Sequence, residues 1–134
     1  MEQPLILENQ NPAIKVLVVE DEPAIAQVCL RVLTPRGFHV ALAADGKEAI
    51  RQLSVEKFNL CLIDVRTPNM NGEQLYSWIL EHDSPLSKGV IFTTGDVASG
   101  ETARFLAGTG RITLPKPFAP AELLEKIQKA VAGL

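Results

Sequence analysis

Asn59-Leu60-Cys61-Leu62-Ile63-Asp64-Val65-Arg66-Thr67-Pro68 is the stretch that decides the fold. Leu60 to Ile63 is an apolar run with no helical stagger, the pattern of a strand buried on both faces of a parallel sheet. The run stops at one carboxylate, Asp64, and a turn closed by Pro68 follows. A strand of this kind delivers Asp64 to its carboxyl edge, which is where open α/β sheets bind their ligands.

The same signature recurs on both sides of this stretch. Ile14 to Val19 is a β-branched, nearly uniform apolar strand that ends at Glu20-Asp21-Glu22-Pro23, with the proline suited to a helix's first turn. Ala24, Ile25, Val28, Cys29, Val32 and Leu33 recur at helical spacing, which predicts a helix to about Thr34-Pro35 with Gly37 just beyond. Phe38 to Ala43 reads as a second strand, and Asp45 as the cap of a helix carrying Ala49, Ile50 and Leu53. After Gly72 a helix places Leu75, Trp78 and Ile79 on one face, with Trp78 expected in the core. Val90 to Thr94 is a fourth strand, Ser99 to Ala107 a weaker helix, Arg111 to Leu114 a fifth strand, and Pro120 opens a last helix. Five strands alternating with five helices specify an α/β domain, a parallel sheet covered on both faces.

At 134 residues the chain is one domain, and 46% hydrophobic with 22% charged residues describes a globular protein. Residues 1–12 read as a flexible tail or linker remnant and 13–134 as the domain, with no output domain expected after the fifth helix. A net charge of −3 argues against nucleic acid, and the absence of a long apolar run or a basic leader argues against membrane insertion and export. Cys29 and Cys61 fall in a helix and a buried strand, as small core residues of a reducing, cytoplasmic compartment. His39 and His82 sit at element ends and carry no chemistry in this reading.

The alternation brings Glu20, Asp21, Asp64, Thr94 and Lys116 to one edge. Carboxylates about 4 Å apart repel by a few kcal/mol per pair, so a bare acidic cluster does not persist. A hard divalent cation relieves the repulsion, and an all-oxygen donor set favours Mg²⁺ or Mn²⁺. With that ion, a carboxylate nucleophile (Asp64), a hydroxyl (Thr94) and an ammonium (Lys116) make a phosphoryl-acceptor site. Glu22 reads instead as an acidic residue meeting the positive end of a helix dipole.

Glu20-Asp21 after strand one, Asp64-x-x-x-Pro68-x-Met70-x-Gly72, Thr94-Gly95 and Lys116-Pro117-Phe118 together resemble the receiver domain of two-component response regulators, over about residues 13–132. The resemblance implies a flavodoxin-like (βα)5 three-layer sandwich with strand order 2-1-3-4-5, a topology that the general rule for doubly wound sheets names for this family. It implies Asp64 as the phosphorylated residue, Asp21 as a direct Mg²⁺ ligand, Glu20 as a ligand through water and the Arg66 carbonyl as a further ligand. It implies Thr94 as the switch hydroxyl, Lys116 as the phosphate partner, a cis Lys116-Pro117 bond, and a histidine kinase or histidine phosphotransfer protein as phosphodonor. The signalling output is then the β4-α4-β5 face, toward an unidentified downstream protein, from a monomer or weak dimer with no enzymatic activity beyond its own phosphorylation and dephosphorylation.

Two positions depart from the pattern: Thr113 stands where an aromatic ring is usual, and Thr67 where methionine is frequent, the latter taken as neutral. Arg66 and Asp96 are expected to pair across the mouth of the site when the loop after the fourth strand closes on a phosphoryl group. Of the rival functions, a nucleotide-binding domain fails because Glu20-Asp21-Glu22 would repel a phosphate, and an aspartate-based phosphatase fails because Arg66 stands where its second Asp is needed. A docking module that works without phosphorylation is the remaining alternative, as is the choice between a stand-alone regulator and the receiver of a hybrid histidine kinase.

Overall fold

Parallel pairing sets the strands in the order β2-β1-β3-β4-β5, with β1 Lys15–Val19, β2 His39–Ala43, β3 Leu60–Asp64, β4 Val90–Thr94 and β5 Ile112–Pro115. The computed structural model describes residues 13–95 and 100–134, so the reading of residues 1–12 as a tail lies outside the described residues. β3 is central and buried along its whole length, as its uninterrupted apolar run requires. The order and pairing bear out the flavodoxin-like expectation.

The covering helices are α1 Pro23–Leu33, α2 Gly46–Leu53, α3 Gly72–His82, α4 Gly100–Thr109 and α5 Pro120–Ala132. Strand alternation divides the core into two layers. Val16, Val18, Leu60, Leu62, Ile91 and Leu114 pack against Cys29 and Leu33 of α1 and Leu123, Ile127 and Ala130 of α5. Leu17, Val19, Cys61, Ile63, Val90 and Phe92 pack against Ala49 and Leu53 of α2, Leu75 and Ile79 of α3 and Leu106 of α4. Each large aliphatic side chain so buried contributes roughly 2 kcal/mol of transfer free energy.

Element ends fall within two residues of the sequence expectation, the usual fraying range. α1 stops at Leu33 and tightens into a 3₁₀ turn at Thr34–Arg36, closed by Gly37 at φ 93°. A one-turn helix at Ser84–Ser87 was not expected, although Asp83 before Ser84-Pro85 is a sequence signal for it. The Asp83 carboxylate accepts from the Leu86 amide at 3.4 Å. Trp78 packs against the core as expected, but from its margin, where it is half-buried and stacked on His82 with ring centroids 4.3 Å apart. One residue before Ile79, it is rotated about 100° off the inward line of the helix.

Candidate functional site

Strand register explains why residues distant in sequence meet. Val18 pairs with Leu62 and Val19 with Ile63, so Glu20 arrives beside Asp64 one step past the end of the β1 ladder. On the other side Thr93 pairs with Leu114, and the Lys116 amide donates to the Thr94 carbonyl at 2.9 Å, extending β5 by one more contact. Glu20, Asp64 and Lys116 each continue a row, through Val18, Leu62 and Leu114, that faces the α1/α5 side of the sheet.

The Lys116 ammonium lies 2.9 Å from Glu20 Oε1, 3.0 Å from Asp64 Oδ2 and 3.1 Å from Glu22 Oε1. The side chains of Lys116, Glu20 and Asp64 are 12%, 3% and 8% exposed, so water does little to screen the contacts among them, whereas Glu22, 60% exposed, meets Lys116 in a solvent-screened contact. The expected repulsion among carboxylates is therefore relieved in part by a lysine from the other end of the chain. Glu22 is a correction: it stands at the N-cap of α1 but its side chain makes no cap bond and reaches Lys116 instead. No spacing in the sequence signals that contact, which depends on where β5 delivers Lys116.

Carboxylate oxygens of Glu20, Asp21 and Asp64 lie within 4.8 Å of one another, two of the three residues buried and Asp21 exposed. Three hard anionic oxygens, with no sulfur or imidazole in the set, fit a hard divalent cation. Burial, opposed by the Lys116 hydrogen bond and reinforced by the Asp64 charge, pushes the Glu20 carboxyl up to about 7. Burial also pulls on the Lys116 ammonium, but hydrogen bonds to Glu20, Asp64 and Glu22 outweigh it and hold the group above its ordinary range.

A folded-state value of about 7 against an ordinary 4.5 means that the folded metal-free chain retains a proton the unfolded chain releases. The stability contributed by Glu20 therefore falls as pH rises between those two values. In a chelator, the melting temperature should decline across this window, and Glu20→Gln should flatten the decline. Mg²⁺ should bind more tightly as pH rises, because it competes with that proton. A wild-type slope that Glu20→Gln leaves intact would assign the decline to another group.

The loop after Asp64 is tightly wired. The Arg66 amide donates to Asp64 Oδ1 at 3.1 Å and the Thr67 amide to the Asp64 carbonyl at 3.1 Å. Thr67, expected to be neutral, is buried and its hydroxyl also donates to the Asp64 carbonyl. The Gly72 amide donates to the Val65 carbonyl at 2.9 Å, and a Cβ at Gly72 would lie 2.7 Å from Val65 Cα, so only glycine fits. The Lys116-Pro117 bond is cis, as the resemblance implied.

Thr94 is buried at the end of β4, two residues beyond Phe92 on the same face. Thr113 pairs in register with Phe92, whose ring meets Phe105 of α4 edge-on at 5.2 Å and Tyr76 of α3 at 5.4 Å. The aromatic mass absent from β5 is thus present one strand over, linking β4 to α3 and α4. Arg66 is exposed and lines a cavity of about 250 Å³ with Val65, Asn71, Glu73 and Phe105. Its expected pairing with Asp96 lies outside the described residues.

Against known families, the chain matches the response regulator receiver domain over residues 16–128. This chain belongs to that family. It is 37% identical over 117 residues to the transcriptional regulatory protein CrdR of Helicobacter pylori, covering 86% of this chain and 54% of that protein. It is 30% identical over 118 residues to the response regulator MprA of Mycobacterium tuberculosis, covering 87% of this chain and 50% of that protein. The chain thus spans about half the length of these curated relatives. Among solved structures, a CheY-like receiver domain protein from Methanospirillum hungatei superposes with a TM-score of 0.81 at 30% identity, covering 90% of this chain and 94% of that one. The chemotaxis response regulator CheY4 of Vibrio cholerae superposes with a TM-score of 0.78 at 29% identity, covering 88% and 98%. Receiver domains are signalling domains of two-component systems, and phosphorelay signalling is the role this membership assigns. No helix among the described residues of this receiver is long and apolar enough to cross a membrane.

Proposed function

We propose that this receiver, spanning residues 13–134, accepts a phosphoryl group on Asp64 from a histidine kinase or histidine phosphotransfer protein, with Mg²⁺ as cofactor and Mn²⁺ as a substitute. The observation that carries the proposal is the Lys116 ammonium 3.0 Å from Asp64 Oδ2, beside a three-carboxylate oxygen set. An Asp64 carboxylate oxygen attacks phosphorus in line, the bond from phosphorus to the donor imidazole nitrogen breaks, and its electron pair stays on that nitrogen, which then takes a proton. Lys116 offsets charge on the transferred group, and the Thr94 hydroxyl donates to one of its oxygens. Asp21, Asp64, the Arg66 carbonyl and, through water, Glu20 would hold Mg²⁺, which when bound would supply positive charge against the phosphoryl oxygens. Water later attacks phosphorus, the bond from phosphorus to the Asp64 oxygen breaks with its electron pair returning to the carboxylate, and phosphate leaves after the water gives up a proton, the only turnover in this reading.

The product biases α4 and its flanking strands between two arrangements, and a downstream protein reads the β4-α4-β5 face. The chain acts in the cytoplasm as a monomer or weak dimer, without nucleic acid contact or membrane insertion. The intact contact between Lys116 and Asp64 favours this reading over a docking module that works without phosphorylation. Incubation with acetyl phosphate and Mg²⁺, followed by intact-mass measurement, should show one added phosphoryl group that chelation prevents. An unchanged mass with Mg²⁺ present would leave the docking module as the better reading.

A further inference from the structure

The loop that follows Asp64 is held from outside by the start of α2. Asn69 has a φ of 54°, in the left-handed region that asparagine tolerates, and Met70 a φ of 112°, a conformation that a side-chain-bearing residue adopts only when its surroundings impose it. Asp45 caps α2 with one carboxylate oxygen, Oδ1, which accepts from the Glu48 amide at 2.8 Å. Its other oxygen, Oδ2, accepts from the Asn69 side-chain amide at 2.9 Å. Beside it the Gly46 amide faces the Pro68 carbonyl at 3.4 Å, and a Cβ at Gly46 would lie 2.3 Å from the Met70 carbonyl oxygen. The Asn69 hydrogen bond, then the Glu48 amide, hold the Asp45 carboxyl below its ordinary range, so it is ionised and strongly accepting at neutral pH.

We propose that Asp45 and Asn69 form a positioning clamp, in which the α2 N-terminus fixes the strained 66–70 loop and thereby the direction of the Arg66 carbonyl and the Asp64 carboxylate toward the divalent cation. The inference rests on the metal-dependent reading above. Neither residue touches the reacting atoms: their effect passes through the loop, as partners behind metal ligands act by orienting them. Glycine at 46 is part of the device, since any side chain there would push the two segments apart.

The test uses Asn69→Asp alone and combined with Asp45→Asn, which exchanges donor and acceptor while asparagine still serves as an N-cap. Mg²⁺ affinity is read from amide NMR shifts during titration, alongside thermal melting and the rate of phosphorylation by acetyl phosphate. Asn69→Asp sets two carboxylates against each other and should weaken Mg²⁺ binding about tenfold. The double exchange should restore it to within about twofold, with melting temperatures near wild type throughout. A purely electrostatic effect has the opposite sign, because an added carboxylate near a cation site tightens binding. Mg²⁺ affinity that is unchanged or tighter in Asn69→Asp, or not restored by the exchange, overturns the clamp while leaving the acceptor role of Asp64 standing. A wild-type chain that binds no Mg²⁺ overturns the metal-dependent reading and the clamp with it.

Discussion

Asp64→Asn should abolish covalent phosphorylation, with no added mass after acetyl phosphate and Mg²⁺ at any incubation time. The replacement is isosteric, and its carbonyl oxygen can still accept from the Arg66 amide that now donates to Oδ1. What disappears is the anionic oxygen able to attack phosphorus, and among the described residues the other carboxylates of the three-oxygen set are Glu20 and Asp21. Glu20 is tied to Lys116 and to the Glu22 amide, and Asp21 is exposed. The variant should melt within a few degrees of wild type, because a carboxylate that Lys116 shares with Glu20 and Glu22 is not the sole anchor of any element. Mg²⁺ affinity should drop as well, since one of three anionic oxygens is lost. Residual phosphorylation at wild-type rate would move the acceptor to another carboxylate and end the proposal for Asp64.

Lys116→Met should have the second largest effect, and it divides into two readouts. Phosphotransfer should slow by about 10²–10³, the usual scale for removing one preorganised charge-stabilising group. Stability in chelator should fall as well. Removing one partner of a buried ion pair costs about 3–5 kcal/mol, and the lower end applies because Glu20, already pushed up to about 7, can take a proton. Mg²⁺ should raise the melting temperature of this variant more than that of the wild type. In the wild type the ion must share Glu20 and Asp64 with an ammonium at 2.9 and 3.0 Å, whereas in the variant it meets uncompensated carboxylates. Equal Mg²⁺ stabilisation of both proteins would show that Lys116 does not compete for the carboxylates.

The combination of Thr113 with an aromatic group on the neighbouring strand bears on how the signal leaves the site. Phe92 lies in register with Thr113 and two residues before Thr94, and it contacts rings on both α3 and α4. Movement of the β4 end would therefore be felt by two helices through packed rings, whose edge-to-face contacts fix their relative placement.

The sequence by itself determined the strands, their parallel pairing and the edge on which the chemistry gathers. Apolar runs such as Leu60 to Ile63 can be satisfied only by burial on both faces, and each stops at a polar residue that must then emerge at the sheet's rim. The Asp45 cap was legible for the same local reason, because its Oδ1 serves an amide three residues away. Tertiary structure alone decided which emerging side chains touch. It turned Glu22 from a helix-end charge into a partner of Lys116, gave Thr67 a hydroxyl bond to Asp64, and set Asp45 Oδ2 against Asn69 across 24 residues. It also withdrew water from Glu20, raising its carboxyl toward neutrality. Local periodicity records how much of a residue is buried, whereas hydrogen-bond partners and desolvation depend on the direction and distance of segments that only the packed sheet and helices bring together.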